Sequence, residues 1–120
     1  MPSILVHLTH GPEHPTRAAL GFLVAKAAVD EGHSMPLFLT GDAVQLLRDG
    51  VLENLSGLGT GSLRQSYDAL VASGTRFYLS GMSARARGLT EQDLADIPAE
   101  FAMPNKLVQL SLAHDRMFTY

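Results

Sequence analysis

Apolar residues fall along this chain in short continuous runs, separated by longer stretches with helical spacing. Ile4 to Leu8 is the first run, interrupted only by His7. A strand that is apolar on both faces belongs inside a sheet covered by helices on both sides. Thr9-His10-Gly11-Pro12-Glu13-His14-Pro15 reads as a loop. Pro15 suits the first turn of a helix, where its missing N–H costs nothing. That helix is expected to reach about Asp30, with Ala18, Leu20, Phe22, Leu23, Ala27 and Ala28 as its apolar surface and Gly32 as its stop. A mid-helix glycine costs about 1 kcal/mol against alanine, so Gly21 is read as a point of close packing on the sheet.

Met35 to Thr40 is the second predicted strand. Pro36 cannot donate to a ladder, which predicts an edge position. Gly41-Asp42 turns the chain into a short helix with Val44, Leu46 and Leu47 on its apolar side, and Asp42 lies near the positive end. Ser56 to Ser62, with Gly57, Gly59 and Gly61, reads as a mobile loop over the sheet's rim. It lacks the strand before it and the Gly-Lys-Ser/Thr ending of a phosphate loop. A helix over Leu63 to Ala72 follows, carrying Tyr67, Leu70 and Val71 and ended by Gly74. The third strand is Arg76 to Leu79. Thr90 caps a further helix start. Phe101-Ala102-Met103 is a short strand candidate, Pro104 opens a helix with Leu107, Val108, Leu110 and Leu112, and Arg116 to Tyr120 reads as a terminal strand. This alternation predicts a single α/β domain over residues 1–120, with a five-stranded, mostly parallel sheet and helices on both faces. Right-handed crossovers then place the carboxyl ends of the first three strands on one rim.

Composition narrows the class of function. With 120 residues, 46% of them hydrophobic and 18% charged, the chain has material for one packed core and is too apolar for disorder. The net charge of −3 and the absence of a basic tract speak against nucleic acid and anionic membranes as partners. Apolar runs are broken before membrane-spanning length, and the amino terminus lacks a signal-peptide pattern, so a cytoplasmic location is expected. There is no cysteine. That excludes disulfides, thiolate metal sites and persulfide chemistry on this chain.

Candidate chemistry gathers on the predicted rim. It comprises Thr9 and His10 after the first strand, Asp42 after the second, and Ser80-Gly81-Met82-Ser83 with Arg85 and Arg87 after the third. Ligands of open α/β sheets sit at such carboxyl ends. Backbone N–H groups after Ser80 and the two arginines offer contacts to a small anion. The alternative is that both serines only turn the chain and cap a helix. Ser80 as a nucleophile would need a base, with His10 the candidate and Asp42 its orienter, but Leu79-Ser80-Gly81 lacks the Gly-x-Ser-x-Gly frame of a strained elbow. His10, Glu13 and His14 carry zinc-type donors on a loop without a known metal signature, and no metal or other cofactor is expected. His7, inside an apolar strand, is read as a hydrogen-bonded core histidine.

Several stretches together resemble the DsrE/F-like family of small sulfur-relay-type proteins. They are Ile4-Leu5-Val6-His7 with Thr9-His10-Gly11-Pro12, Phe38-Leu39-Thr40-Gly41-Asp42-Ala43-Val44, and Phe77 to Gly88, followed by the ending Ala113 to Tyr120. The turn before Arg87-Gly88 is the most specific of them. The resemblance implies a flavodoxin-like three-layer domain that forms homotrimers or homohexamers, and a relay cysteine whose position here is Ser80. Serine forms no persulfide, and its hydroxyl is a far weaker nucleophile than a thiolate near neutral pH. The expectation is therefore a homo-oligomer without sulfur transfer of its own, binding a small anion or a partner protein through His10, Asp42, Ser80, Gly81, Met82, Ser83, Arg85 and Arg87. An enzyme using Ser80 and His10, or a purely structural subunit of a sulfur-relay-type complex, are the alternatives. Met103, Met117, Phe118 and Tyr120 supply apolar surface for self-association.

Overall fold

Five short strands assemble into one parallel sheet in this computed structural model, which describes residues 2–33 and 35–120. Met1, the first residue of the amino-terminal stretch read above, lies outside them. The strands are β1 (Ile4–Leu8), β2 (Leu37–Leu39), β5 (Phe77–Ser80), β6 (Ala99–Ala102) and β7 (Arg116–Thr119), in the order β6-β5-β2-β1-β7. All four pairings are parallel. A separate two-stranded hairpin, β3 (Ser56–Gly57) and β4 (Gly61–Ser62), stands where a mobile loop was expected. It docks on the first helix, where the Leu58 N–H donates to Thr16 Oγ1 at 3.2 Å.

The sheet order corrects one expectation. β2 is the central strand, and Pro36 is not on an edge. The proline precedes the ladder instead of interrupting it: its carbonyl accepts from the Val6 N–H at 3.3 Å, and donation toward β5 begins with the Leu37 N–H on the Arg76 carbonyl at 3.0 Å. The start of a strand is the other place where a missing N–H is tolerated. Leu37, Phe38 and Leu39 are all buried, as a central strand requires.

Alternation along the strands makes two unequal layers. Val6, Leu37 and Phe77 share one face, and the helices α1 (Pro15–Asp30) and α3 (Leu63–Ala72) pack there. Phe22 of α1 stacks on Phe77 at 6.2 Å, and Tyr67 of α3 lies 5.4 Å from the same ring. Gly21 is the contact point between α1 and the sheet: a Cβ there would meet Leu8 Cδ2 at 2.8 Å. The opposite face carries His7, Phe38 and Tyr78 in one row, with ring centroids 6.2 and 6.1 Å apart. The helix α5 (Pro104–Ala113) covers that row, with Lys106 Nζ 5.3 Å from the centre of the Tyr78 ring. His7 donates to or accepts from Thr40 Oγ1 at 3.0 Å, and burial lowers its pKa from 6.5. No residue of α5 is buried, and all four residues of β7 are exposed. No described helix is long and apolar enough to cross a membrane.

Candidate functional site

The rim is built from three strand ends that are tied to one another. After β1, the loop carrying His10 runs against the next strand's exit: a Cβ on Gly11 would lie 2.1 Å from the Asp42 carbonyl oxygen, so only glycine permits this approach. After β2, the 3-10 segment Gly41–Leu47 begins, with Asp42 in its first turn. After β5, the short helix α4 (Gly81–Ala86) begins, and Ser80 is its cap.

Hydrogen bonds then join the second exit to the third. Ser80 Oγ accepts from the Ser83 N–H at 3.2 Å, and Ser83 Oγ accepts from the Gly41 N–H at 2.9 Å. Arg87 Nε donates to Asp42 Oδ1 at 3.0 Å, while its Nη1 donates to the Ser83 carbonyl at 3.1 Å. Arg48, from the end of the 3-10 segment, reaches back to the Arg87 carbonyl at 2.9 Å. Ser80 is only 8% exposed. Its hydroxyl thus works as a cap inside a bonded network.

All but one of the predicted site residues fall into two groups. Asp42, Ser80, Ser83 and Arg87 form the network just described. Gly81, Met82 and Arg85 turn the other way and line a cleft of about 480 Å³ beside it. The cleft is lined further by residues that include Leu89, Glu91, Phe101 and Met103, which the rim residues alone did not reveal. The signal available in the sequence was the end of the fourth parallel strand, since Phe101 belongs to β6 and β6 ends on the same rim. Arg85 and Glu91 face this cleft, and neither forms an ion pair among the described residues.

His10 lies in neither group. Its Nδ1 is 3.2 Å from Thr9 Oγ1, and its ring meets His14 edge-on at 5.2 Å. Among the described residues no hydrogen bond joins a histidine to Ser80. Glu13 turns away from the histidines to accept from the Gly11 N–H at 2.8 Å. Among the described residues no three histidine or carboxylate side chains gather as a metal-holding group.

Comparison with known proteins agrees with this fold. The sequence pattern of the DsrE/DsrF-like family matches residues 3–120. Among solved structures, the chain is similar to the ychN protein from E. coli, with a TM-score of 0.80, 21% identity and full coverage of both chains. It is also similar to MTH1491 from Methanobacterium thermoautotrophicum, a protein of unknown function, with a TM-score of 0.66 and 13% identity over the whole of both chains. A third is BT1422 from Bacteroides thetaiotaomicron, a conserved protein of unknown function, with a TM-score of 0.69, 11% identity and coverage of 98% of this chain and 95% of the other. These likenesses are of fold. No curated protein matches the chain.

Proposed function

We propose, starting from a chain that belongs to the DsrE/DsrF-like family, that this protein is a homo-oligomeric binding subunit without sulfur transfer of its own. It takes a small anion with an apolar part, or the equivalent side chains of a partner protein, in the cleft beside Ser80. The observation that carries this reading is the division of the rim. The Ser80 hydroxyl is held as a helix cap, whereas Arg85, which has no ion pair among the described residues, stands on an adjoining wall of Met82, Phe101 and Met103. A guanidinium beside thioether and aromatic surface suits a carboxylate attached to a hydrocarbon. With no thiol on the chain, Ser80 offers nothing on which a persulfide can form.

Two measurements test it. Hexanoate titrated into the protein should shift the Met82 and Met103 methyl resonances saturably, and Arg85→Gln should weaken that binding. Unchanged methyl resonances would defeat the cleft reading. Incubation with glutathione persulfide should leave the protein's mass unchanged, and a stable adduct one sulfur heavier would overturn the claim about transfer.

A purely structural subunit is the second reading. The exposed apolar residues of α5 and β7 favour it. In that case hexanoate has no effect, while self-association persists.

A further inference from the structure

Without cysteine or tryptophan, the thioethers of this chain are its most readily oxidised side chains. Two of them stand in the wall of the cleft beside Ser80. Met82 on α4 is 61% exposed, and Met103, directly after β6, is 51% exposed. The Met103 sulfur hangs over the start of α4: a Cβ on Gly81 would lie 3.6 Å from Sδ. Met35, by contrast, is 4% exposed. Met117 belongs to β7, at the opposite edge of the sheet from β6. The cleft between α2 (Asp49–Asn54) and α3 is lined by no methionine. Two reachable sulfurs are therefore gathered at one site.

Neutral thioethers, with Phe101 and Leu89, give this wall its apolar character. A peroxide changes that by adding one oxygen atom. A sulfur lone pair attacks the nearer peroxide oxygen, and the S–O bond forms as the O–O bond breaks. The second oxygen leaves with both hydrogens as water. Sulfur gives up two electrons and the peroxide takes them. The product is a sulfoxide, which is polar and chiral and accepts hydrogen bonds.

Arg85 sets the consequence. It stands three residues after Met82 on α4, a spacing that makes side chains neighbours on a helix surface. It forms no ion pair among the described residues. A thioether on Met82 leaves the guanidinium to a ligand's carboxylate, whereas a sulfoxide oxygen there accepts from it and competes. Oxidation of Met103 puts a dipole where the hydrocarbon part of the ligand would lie. Both changes act against the same ligand. We infer that Met82 and Met103 are a peroxide-sensitive modification site that closes the Ser80 cleft to its ligand when oxidised. The inference deepens the reading of that cleft as a carboxylate site and rests on it. The closure is reversible, because sulfoxides are returned to thioethers by reductases that each act on one epimer.

The test uses the full chain, hydrogen peroxide and hexanoate. Peptide masses should show one oxygen gained at Met82 and at Met103 before any is gained at Met35. Hexanoate binding is read from the Phe101 ring resonances, since peroxide does not alter that side chain. Its affinity should weaken by about fivefold or more on oxidation, and return once reductases for both sulfoxide epimers have acted. Met117→Leu should lose affinity on oxidation as the wild type does. Met82→Leu together with Met103→Leu has an affinity of its own, which peroxide should leave unmoved. Hexanoate bound equally tightly before and after oxidation would overturn the inference and leave the cleft reading intact, as would a loss that persists in the double variant. Failure of the unoxidised protein to bind hexanoate would defeat the cleft reading, and the inference with it.

Discussion

At the scale of single residues, the rim is decided by what each hydroxyl and ring nitrogen is already doing. Ser80 Oγ holds the Ser83 N–H. Replacing Ser80 with cysteine puts a sulfur at that point. The thiolate would accept the same N–H near the start of α4, with Arg85 and Arg87 close in the chain, while partial burial opposes the charge. A hydrogen bond to the charged form outweighs incomplete desolvation, so the Ser80→Cys thiol should titrate below the free-cysteine value of about 8.5. Alkylation rates measured across pH will show this, and a pKa at or above that reference would contradict it. His7 gives a second prediction. Burial favours its neutral ring, so its folded pKa lies below 6.5. As pH falls through 6.5, the unfolded chain takes up a proton that the folded one resists. This contribution to stability is thus present above the unfolded value and is lost as pH drops toward the lower folded value. Urea midpoints between about pH 8 and about pH 5 should fall less steeply for His7→Gln than for the wild type. Equal slopes would show that His7 is not the responsible group. The role of His7 was legible in the sequence, because a lone polar residue in an apolar strand must find a partner. The pairing of Arg87 with Asp42 was not, since 45 residues separate them and only the strand order brings them together.

At the scale of elements, strands and helices followed from periodicity and from their punctuation by glycine and proline. Pro15 and Pro104 open helices as expected. The Thr90 side chain and Asp93 make the capping box that their spacing suggests. Pro36 misled because its missing N–H was assigned to a ladder position, when the residue stands one step before the ladder. The cleft beside Ser80 escaped for a related reason: part of its wall is contributed by the end of β6, and the apolar pattern of Phe101-Ala102-Met103 does not say which neighbour that strand takes. Loops between elements also fix position. Gly11 is pressed on the Asp42 carbonyl, and any side chain there must displace backbone. Gly11→Ala should destabilise the fold by about 2 kcal/mol or more. Calorimetry or urea unfolding measures that loss, and a change below about 0.5 kcal/mol would mean that the loop yields freely.

At the scale of the whole molecule, one layer is finished and the other is thin. The α1 and α3 layer closes the core around Phe22 and Phe77, whereas α5 covers the opposite row without burying any residue of its own. Val108, Leu112, Met117 and Phe118 stand exposed, Leu112 to 83%. Apolar surface on this scale marks an interface. Sedimentation at about micromolar protein should report an oligomer, and Leu112→Lys together with Met117→Lys should dissociate it at little cost to the folded monomer. A wild-type monomer at that concentration would refute self-association. The thin layer also bears on how the molecule is made. β1 has two neighbours: β2, which follows after one helix, and β7, whose residues lie about as far from it as this sequence allows. Asp115 anchors that second seam by accepting from the Ser3 N–H at 2.8 Å. Contacts between such distant residues close the largest loop in the chain, and loop closure is slow. The seam should therefore zip last, after the folding barrier has been crossed. Substitutions in β7 such as Phe118→Ala would then accelerate unfolding and leave the folding rate nearly untouched. A stopped-flow chevron whose folding arm moves instead would place β7 in the nucleus.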